Sequence, residues 1–259
     1  MPDPDYDYQG LLASTWDLWR GDTSGWPDRA FYLDLIRSYG EPALDIGCGT
    51  GRIMVDFLAA GIDIEGVDNS PEMLEICREK AAKFGLVPSL HEQNLLSLDL
   101  PRMYKTILIP SSTLQLITDH DEAREALTRC YACLESGGAL AAPFSFDWQE
   151  GEPLESDWEL LFEKVRPEDG AIVRSRLRER NEPDKQLWHA EQTFEVEIDG
   201  KIVVTEFQRR SPEGRWYRQE QATALFCDAG FADVQLFSGF THKAAGPRDR
   251  LFTVVGVKL

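Results

Sequence analysis

ALDIGCGTGR, residues 43–52, decides the fold. A short apolar run ends on Asp45, and three glycines then fall at Gly47, Gly49 and Gly51. Glycine costs backbone order, so a chain places it where the backbone must turn through positive φ or let a ligand come close. A strand that breaks into such a loop and opens a helix presents unpaired N–H groups to a ligand. The dinucleotide fingerprint G-x-G-x-x-G does not fit, because Arg52 and Met54 stand where its third glycine would fall.

Working outward, IDIEGVDNSPEML places Asp68 at the end of a second strand, at the spacing where an acid meets a ribose diol in nucleotide folds. A carboxylate accepts bidentate hydrogen bonds from vicinal hydroxyls and opposes a phosphate there. Ser70-Pro71-Glu72 reads as the cap of the next helix. Strands are expected at 43–46, 62–67, 87–91, 104–109 and 139–143, alternating with helices at 52–60, 71–84 and 121–134. PDRAFYLDLIRSYG forms a helix before them. RQEQATALFCDAG is a later helix, followed by strands in FADVQLF and LFTVVGV. Strands separated by helices of that length form a parallel sheet with right-handed crossovers. Between about 158 and 210 the texture changes to β-rich stretches, AIVRSRLRER, LWHAEQTFEVEI and KIVVTEFQRR, with Asp199-Gly200 as a hairpin signal. The expected fold is therefore α/β, Rossmann-like and doubly wound, with a mainly parallel seven-stranded sheet and an antiparallel insertion. The expected parts are an N-terminal helical lid (1–40), a core of 41–145 with 215–259, and the insertion 146–214.

Composition narrows the partners. With 45 Asp+Glu against 27 Lys+Arg and a formal charge of −18, the surface repels phosphate backbones and anionic lipid. Nucleic acid and membrane are not expected partners, and no apolar run approaches the roughly 18 residues of a membrane span. The N-terminal MPDPDYDYQG lacks the regions of a signal peptide. Five scattered cysteines suit a reducing cytoplasm. Cys130-x-x-Cys133 lies inside a predicted helix without a second cluster, so it reads as packing and no metal site is expected.

LDIGCGTGR followed by GVDNSPEML resembles the class I S-adenosylmethionine-dependent methyltransferases, in their bacterial small-molecule branch. EQNLLSLDL, ILIPSSTLQLI, LESGGALAA and CDAGFADVQLFSGF extend the resemblance. It implies S-adenosyl-L-methionine as cofactor, a small-molecule acceptor and N- or O-methylation by in-line displacement. Asp45 would face the methionine amino group. Gly47, Gly49 and Gly51 would let the backbone pass beneath methionine and ribose, with Cys48 and Arg52 in the same loop. Asp68 would hold the ribose hydroxyls, with Asn69 and Met73 near adenine. Asn94, where relatives often have an acid, would accept from the adenine amino group, flanked by Gln93 and Leu95. Pro110, Ser111 and Gln115 would lie beside the sulfonium, with Trp19 on the cofactor from the lid. Relatives can carry a histidine where Leu116 stands, so a base at that site is not expected. Two other readings stand beside this one: a cofactor-binding module without turnover, and a nicotinamide-dependent oxidoreductase.

Methyl transfer rests largely on alignment and exclusion of water, which leaves the catalytic group open. His242 and His189 are the candidate bases, while His120 reads as a surface residue at a helix start. Tyr8, Trp16 and Trp19 are equally a lid over the ligands or core packing. The insertion is expected either to cover the substrate or to form a homodimer surface.

Overall fold

The computed structural model describes residues 8–146 and 148–259; Tyr6, one of the N-terminal aromatics, lies outside them. Two short helices, α1 (Gly10–Ser14) and α2 (Trp16–Arg20), precede α3 (Pro27–Tyr39). There follow β1 (Ala43–Ile46), α4 (Met54–Ala59), β2 (Ile64–Asp68), α5 (Pro71–Ala82), β3 (Leu90–Glu92), β4 (Tyr104–Leu108), α6 (His120–Cys133) and β5 (Leu134–Ser145). The chain then forms β6 (Glu159–Val165), β7 (Ile172–Glu182), β8 (Leu187–Ile198) and β9 (Lys201–Arg215), before α7 (Gln219–Asp228), β10 (Ala232–Ser238) and β11 (Leu251–Val257).

Seven strands form one sheet in the order β3-β2-β1-β4-β5-β11-β10. All run parallel except β11, which is antiparallel to both neighbours. The winding reverses between β1 and β4, and at such a switch the loops beyond the carboxyl ends part to leave a crevice. The inner strands are buried on both faces and so are nearly continuously apolar, while the edge strands β3 and β10 are partly exposed. Leu44, Leu140, Phe144 and Phe252 face α6 and α7, while Ala43, Ile64, Ala141 and Val255 face α3, α4 and α5. The architecture is the doubly wound α/β fold expected from the sequence.

Local chemistry sets the boundaries. Ser70 caps α5, its Oγ accepting from the Met73 N–H at 3.1 Å. Asp119 caps α6 by accepting from the Asp121 and Glu122 N–H groups. The helix after the glycine loop starts at Met54 rather than 52, because the chain leaves positive φ only after Gly51. The third strand is Leu90–Glu92, not 87–91: Pro88 has no N–H for the ladder, and pairing begins opposite Gly66.

The second sheet has the order β6-β7-β8-β9, four strands where the sequence suggested three. Strand β6 escapes notice because, of its seven residues, Phe162 alone is buried. Asp199 and Gly200, at φ +51° and +74°, make the β8–β9 turn as expected. The sheet's inner face, with Phe162, Val173, Phe194 and Val196, packs beneath Leu12, Trp16 and Trp19. Its outer face is a ladder of ion pairs, including Arg174–Glu197 at 2.5 Å and Arg176–Glu195 at 3.6 Å. Cys130 is buried and Cys133 half-buried at the end of α6, and no group of residues suited to hold a metal occurs among the described residues.

Phe144 sits at the centre of the larger core cluster, between the rings of Phe252, Tyr217 and Phe226. Phe144→Ala is expected to destabilise the fold by about 3–5 kcal/mol, read as a shift in the urea unfolding midpoint at constant slope.

Candidate active site

Strand β1 ends under the glycine loop, and the loop is clipped to β2 by two N–H groups. Those of Gly47 and Cys48 both donate to the Val67 carbonyl, at 2.8 and 3.0 Å. The three glycines have φ of +70°, +52° and +80°, but they serve different ends. A Cβ on Gly47 would lie 2.5 Å from the Thr113 side chain, and one on Gly51 2.6 Å from Cys77 Sγ and Val55 Cγ2. Gly51 is closed off by the protein itself, whereas Gly47 is crowded only on its Cβ side and still borders a cavity. A Cβ on Gly49 would meet nothing within 4 Å, and Gly49 borders a cavity of about 460 Å³.

Two carboxylates border that cavity. Asp68 Oδ2 accepts the Gly49 N–H at 2.8 Å and its Oδ1 the Ser70 N–H at 2.9 Å. Each oxygen keeps lone-pair capacity for a further donor. Burial raises the Asp68 pKa, and these N–H groups oppose the rise. Asp45 is only 1% exposed, and its Oδ1 is a buried acceptor with no partner. Burial pushes its pKa up to about 7, against the pull of Arg52. An orphaned, desolvated carboxyl oxygen at a cavity wall is completed by a cationic donor.

The cavity gathers Cys48 and Arg52 from the loop, with Asn69 and Met73 beyond β2. Gln93, Asn94 and Leu95 join it after β3, and Pro110 and Ser111 after β4. Three expected residues lie elsewhere. Gly51 is buried against Cys77, as above. Gln115 is a strut instead of a ligand contact: its amide bonds the Ser145 N–H and carbonyl and the Arg215 carbonyl, tying β4's loop to β5 and β9. Trp19 stacks on Phe162 and faces a second cavity. The Asn94 assignment also changes, because its amide oxygen accepts the Leu96 N–H at 2.9 Å and caps a helical turn. Arg52 is engaged too, pairing with Asp28 at 2.5 Å beneath the Trp26 ring.

Neither candidate histidine lines this cavity or the second one described below. His189 is buried in the insertion sheet with Nδ1 2.8 Å from Ser211 Oγ. His242 lies on the outside of α3, against Phe31 and 3.3 Å from Asp34.

The second cavity, of about 330 Å³, lies between the N-terminal helices and the insertion sheet. Tyr8, Trp16, Arg20, Ser112 and Leu116 border both cavities, so the two join there. The sequence offers Tyr8 and Trp16 as a lid or core packing and Leu116 as a site position, and it misses Arg20 and Ser112, although the helical spacing of Trp16, Trp19 and Arg20 carries the signal. The Arg20 guanidinium lies 4.5 Å from the Trp16 ring and 4.3 Å from the Trp19 ring. It has no carboxylate partner among the described residues, although acids far outnumber bases in the chain. Burial, and then the Glu213 charge, push the Tyr8 phenol up to about 12. The N-terminal segment is tied down around this junction. The Ser70 hydroxyl donates to the Tyr8 carbonyl, the Thr50 hydroxyl to Asp17, and Lys80 pairs with Asp17 at 2.7 Å.

Residues 43–138 match the family described as a methyltransferase domain. The matched stretch holds the glycine loop and both acids. A carboxy-S-adenosyl-L-methionine synthase of Campylobacter jejuni subsp. jejuni is 32% identical over 111 residues, 42% of this chain and 46% of that protein. The chain spans about half the length of the first curated relatives it matches. Among solved structures, an S-adenosylmethionine-dependent methyltransferase from Clostridium acetobutylicum aligns with a TM-score of 0.75 at 19% identity, covering 95% of this chain and 96% of that one. The sugar N-methyltransferase KedS8 from Streptoalloteichus aligns with a TM-score of 0.72 at 20% identity, covering 98% and 96%. At such identities the likeness is one of fold.

The loop geometry separates two glycine substitutions. Gly49→Ala is expected to lower stability by about 1–2 kcal/mol, the left-handed backbone cost alone. Gly51→Ala adds a steric clash of about 1–3 kcal/mol to that cost, so it should be clearly the more damaging in urea titrations.

Proposed function

We propose that the chain transfers a methyl group from S-adenosyl-L-methionine to a small-molecule acceptor. The observation that carries this reading is the orphaned Asp45 oxygen at the end of β1, beside an open Gly49 and within reach of the same cavity as Arg20. A methionine moiety bears an ammonium and a carboxylate, and Asp45 and Arg20 are the two uncompensated groups that complement them. Asp68 keeps acceptor capacity for a ribose diol, and Met73 and Leu95 offer apolar contact to a base. The bound cofactor supplies an electrophilic methyl on a sulfonium. The chain's share is to hold that ligand across the switch in the sheet, keep water out beneath the N-terminal helices, and admit the acceptor through the second cavity. The inner face of the insertion lines that cavity, which supports its role as a substrate cover. A pyrophosphate, by contrast, would face two acids at this loop, which disfavours a nicotinamide cofactor.

No helix among the described residues is long and apolar enough to cross a membrane. The structurally similar proteins include a sugar and a glycopeptide N-methyltransferase, which supports a small acceptor here.

Calorimetry with S-adenosylhomocysteine tests the proposal, with NAD as the control that should give no heat. Asp68→Ala should weaken binding by about 1–3 kcal/mol, because it leaves ligand hydroxyls unpaired; unchanged affinity removes that role. Protonation of Asp45, whose pKa stands at about 7, competes with the ligand ammonium. Affinity should therefore be flat near pH 8 and fall by about tenfold per unit below pH 7, a slope that Asp45→Asn abolishes.

A further inference from the structure

The second cavity carries one carboxylate whose place in the chain is set by an irregularity. Trp188 pairs with Gly214 and Ala190 with Arg210, so three residues of β9 (211–213) stand opposite His189 alone. A bulge of this kind bends the strand and re-aims a side chain, and such bulges gather beside active sites. Here it turns Glu213 into the cavity, at the end next to Tyr8 and the junction with the cofactor space. Gly214 closes the bulge without a side chain, because a Cβ there would lie 2.2 Å from the Trp188 ring. The Trp188 indole therefore stays in the wall of the cavity.

Glu213 is 15% exposed, and its Oε1 accepts from Arg210 Nε at 3.0 Å. Its Oε2 accepts no hydrogen bond among the described residues. Arg210 has other acceptors, the Gln208 and Gln192 side-chain oxygens at 3.2 and 3.3 Å, so it does not use up the Glu213 carboxylate. The surrounding walls carry indole and phenyl rings from Trp148, Trp188, Trp216 and Phe146, with Arg20, Glu179, Asn181 and Gln192 among the polar groups. A buried ion pair gains little stability over apolar packing, and this one keeps a free acceptor in an aromatic chamber. Aromatic faces and a carboxylate together recognise an amine that carries an apolar body.

We propose that the second cavity takes a primary or secondary amine as methyl acceptor, and that the free oxygen of Glu213 holds its N–H beside the Tyr8 junction. The inference rests on the methyl-transfer reading above. In the transfer, the nitrogen lone pair forms the N–C bond as the C–S bond of the cofactor breaks, and the N–H proton that is released passes to Glu213. A phenol or alcohol offers this carboxylate a single uncharged O–H where an ammonium offers charged N–H donors, and a carboxylate has no donor and would be repelled.

Benzylamine, benzyl alcohol and benzoate share a body and differ in the group presented to Glu213. Their binding to the protein loaded with S-adenosylhomocysteine is read from tryptophan fluorescence, since the cavity walls are rich in tryptophan. Benzylamine is expected to bind at least tenfold more tightly than either of the other two. Glu213→Gln should erase that preference while S-adenosylhomocysteine still binds, and Glu213→Asp should retain part of it. Equal binding of the three probes, no binding of benzylamine, tighter binding of benzoate, or a preference that survives Glu213→Gln each overturns the proposal. Failure of S-adenosylhomocysteine itself to bind the unsubstituted protein would instead overturn the methyl-transfer reading on which it stands.

Discussion

Two carboxylates brought out of water at the tips of neighbouring strands are the constraint around which the molecule is arranged. Asp68 is made tolerable by peptide N–H groups from Gly49 and Ser70, and these come from the two turns that follow β1 and β2. The glycines exist to deliver that arrangement: Gly47 and Gly51 let the loop fold flat against Thr113 and Cys77, and Gly49 leaves its outer side open. Asp45 is left half-satisfied. Burying an acceptor without a partner costs about 1–3 kcal/mol, and a protein keeps such a debt where a ligand settles it.

From that point the rest of the core follows. The inner strands are apolar on both faces so that β1 and β2 are rigid, and the sheet's reversal beside β1 opens the crevice over their ends. The N-terminal helices roof the crevice, held by hydrogen bonds that reach the glycine loop through Thr50 and the α5 cap through Ser70. Thr50 therefore both lines the first cavity and anchors what covers it.

The sequence made this half of the protein legible because its signals are local. Strand, glycine turn, helix and the acid at the end of the next strand lie within about thirty residues, and each has a short-range physical reason. What escaped was built from pairings distant in the chain. Gln115 looked like a ligand contact, but it is a strut because Ser145 and Arg215 fold up beside it. The Asn94 oxygen was free on paper, yet a turn of backbone claims it. His189 and His242 were chosen by residue type, whereas strand facing and the path of the last loop carry them away from both cavities. Strand β6 was silent because water, not a core, covers most of it. Glu213 had no signature at all: its direction comes from a bulge that only the pairing of β8 with β9 reveals.

The insertion enters after β5 and leaves before α7, and its inner face lies along the far side of the space beyond the Tyr8 junction. Besides the Gln115 strut and the N-terminal tethers, it is fastened to the core by the reciprocal amide pair of Gln186 and Gln221 and by Arg215, which donates to the Thr118 carbonyl. Changes within these four strands would therefore reshape the second cavity while the glycine loop and the two carboxylates beside the first kept their geometry, so the two spaces can vary independently.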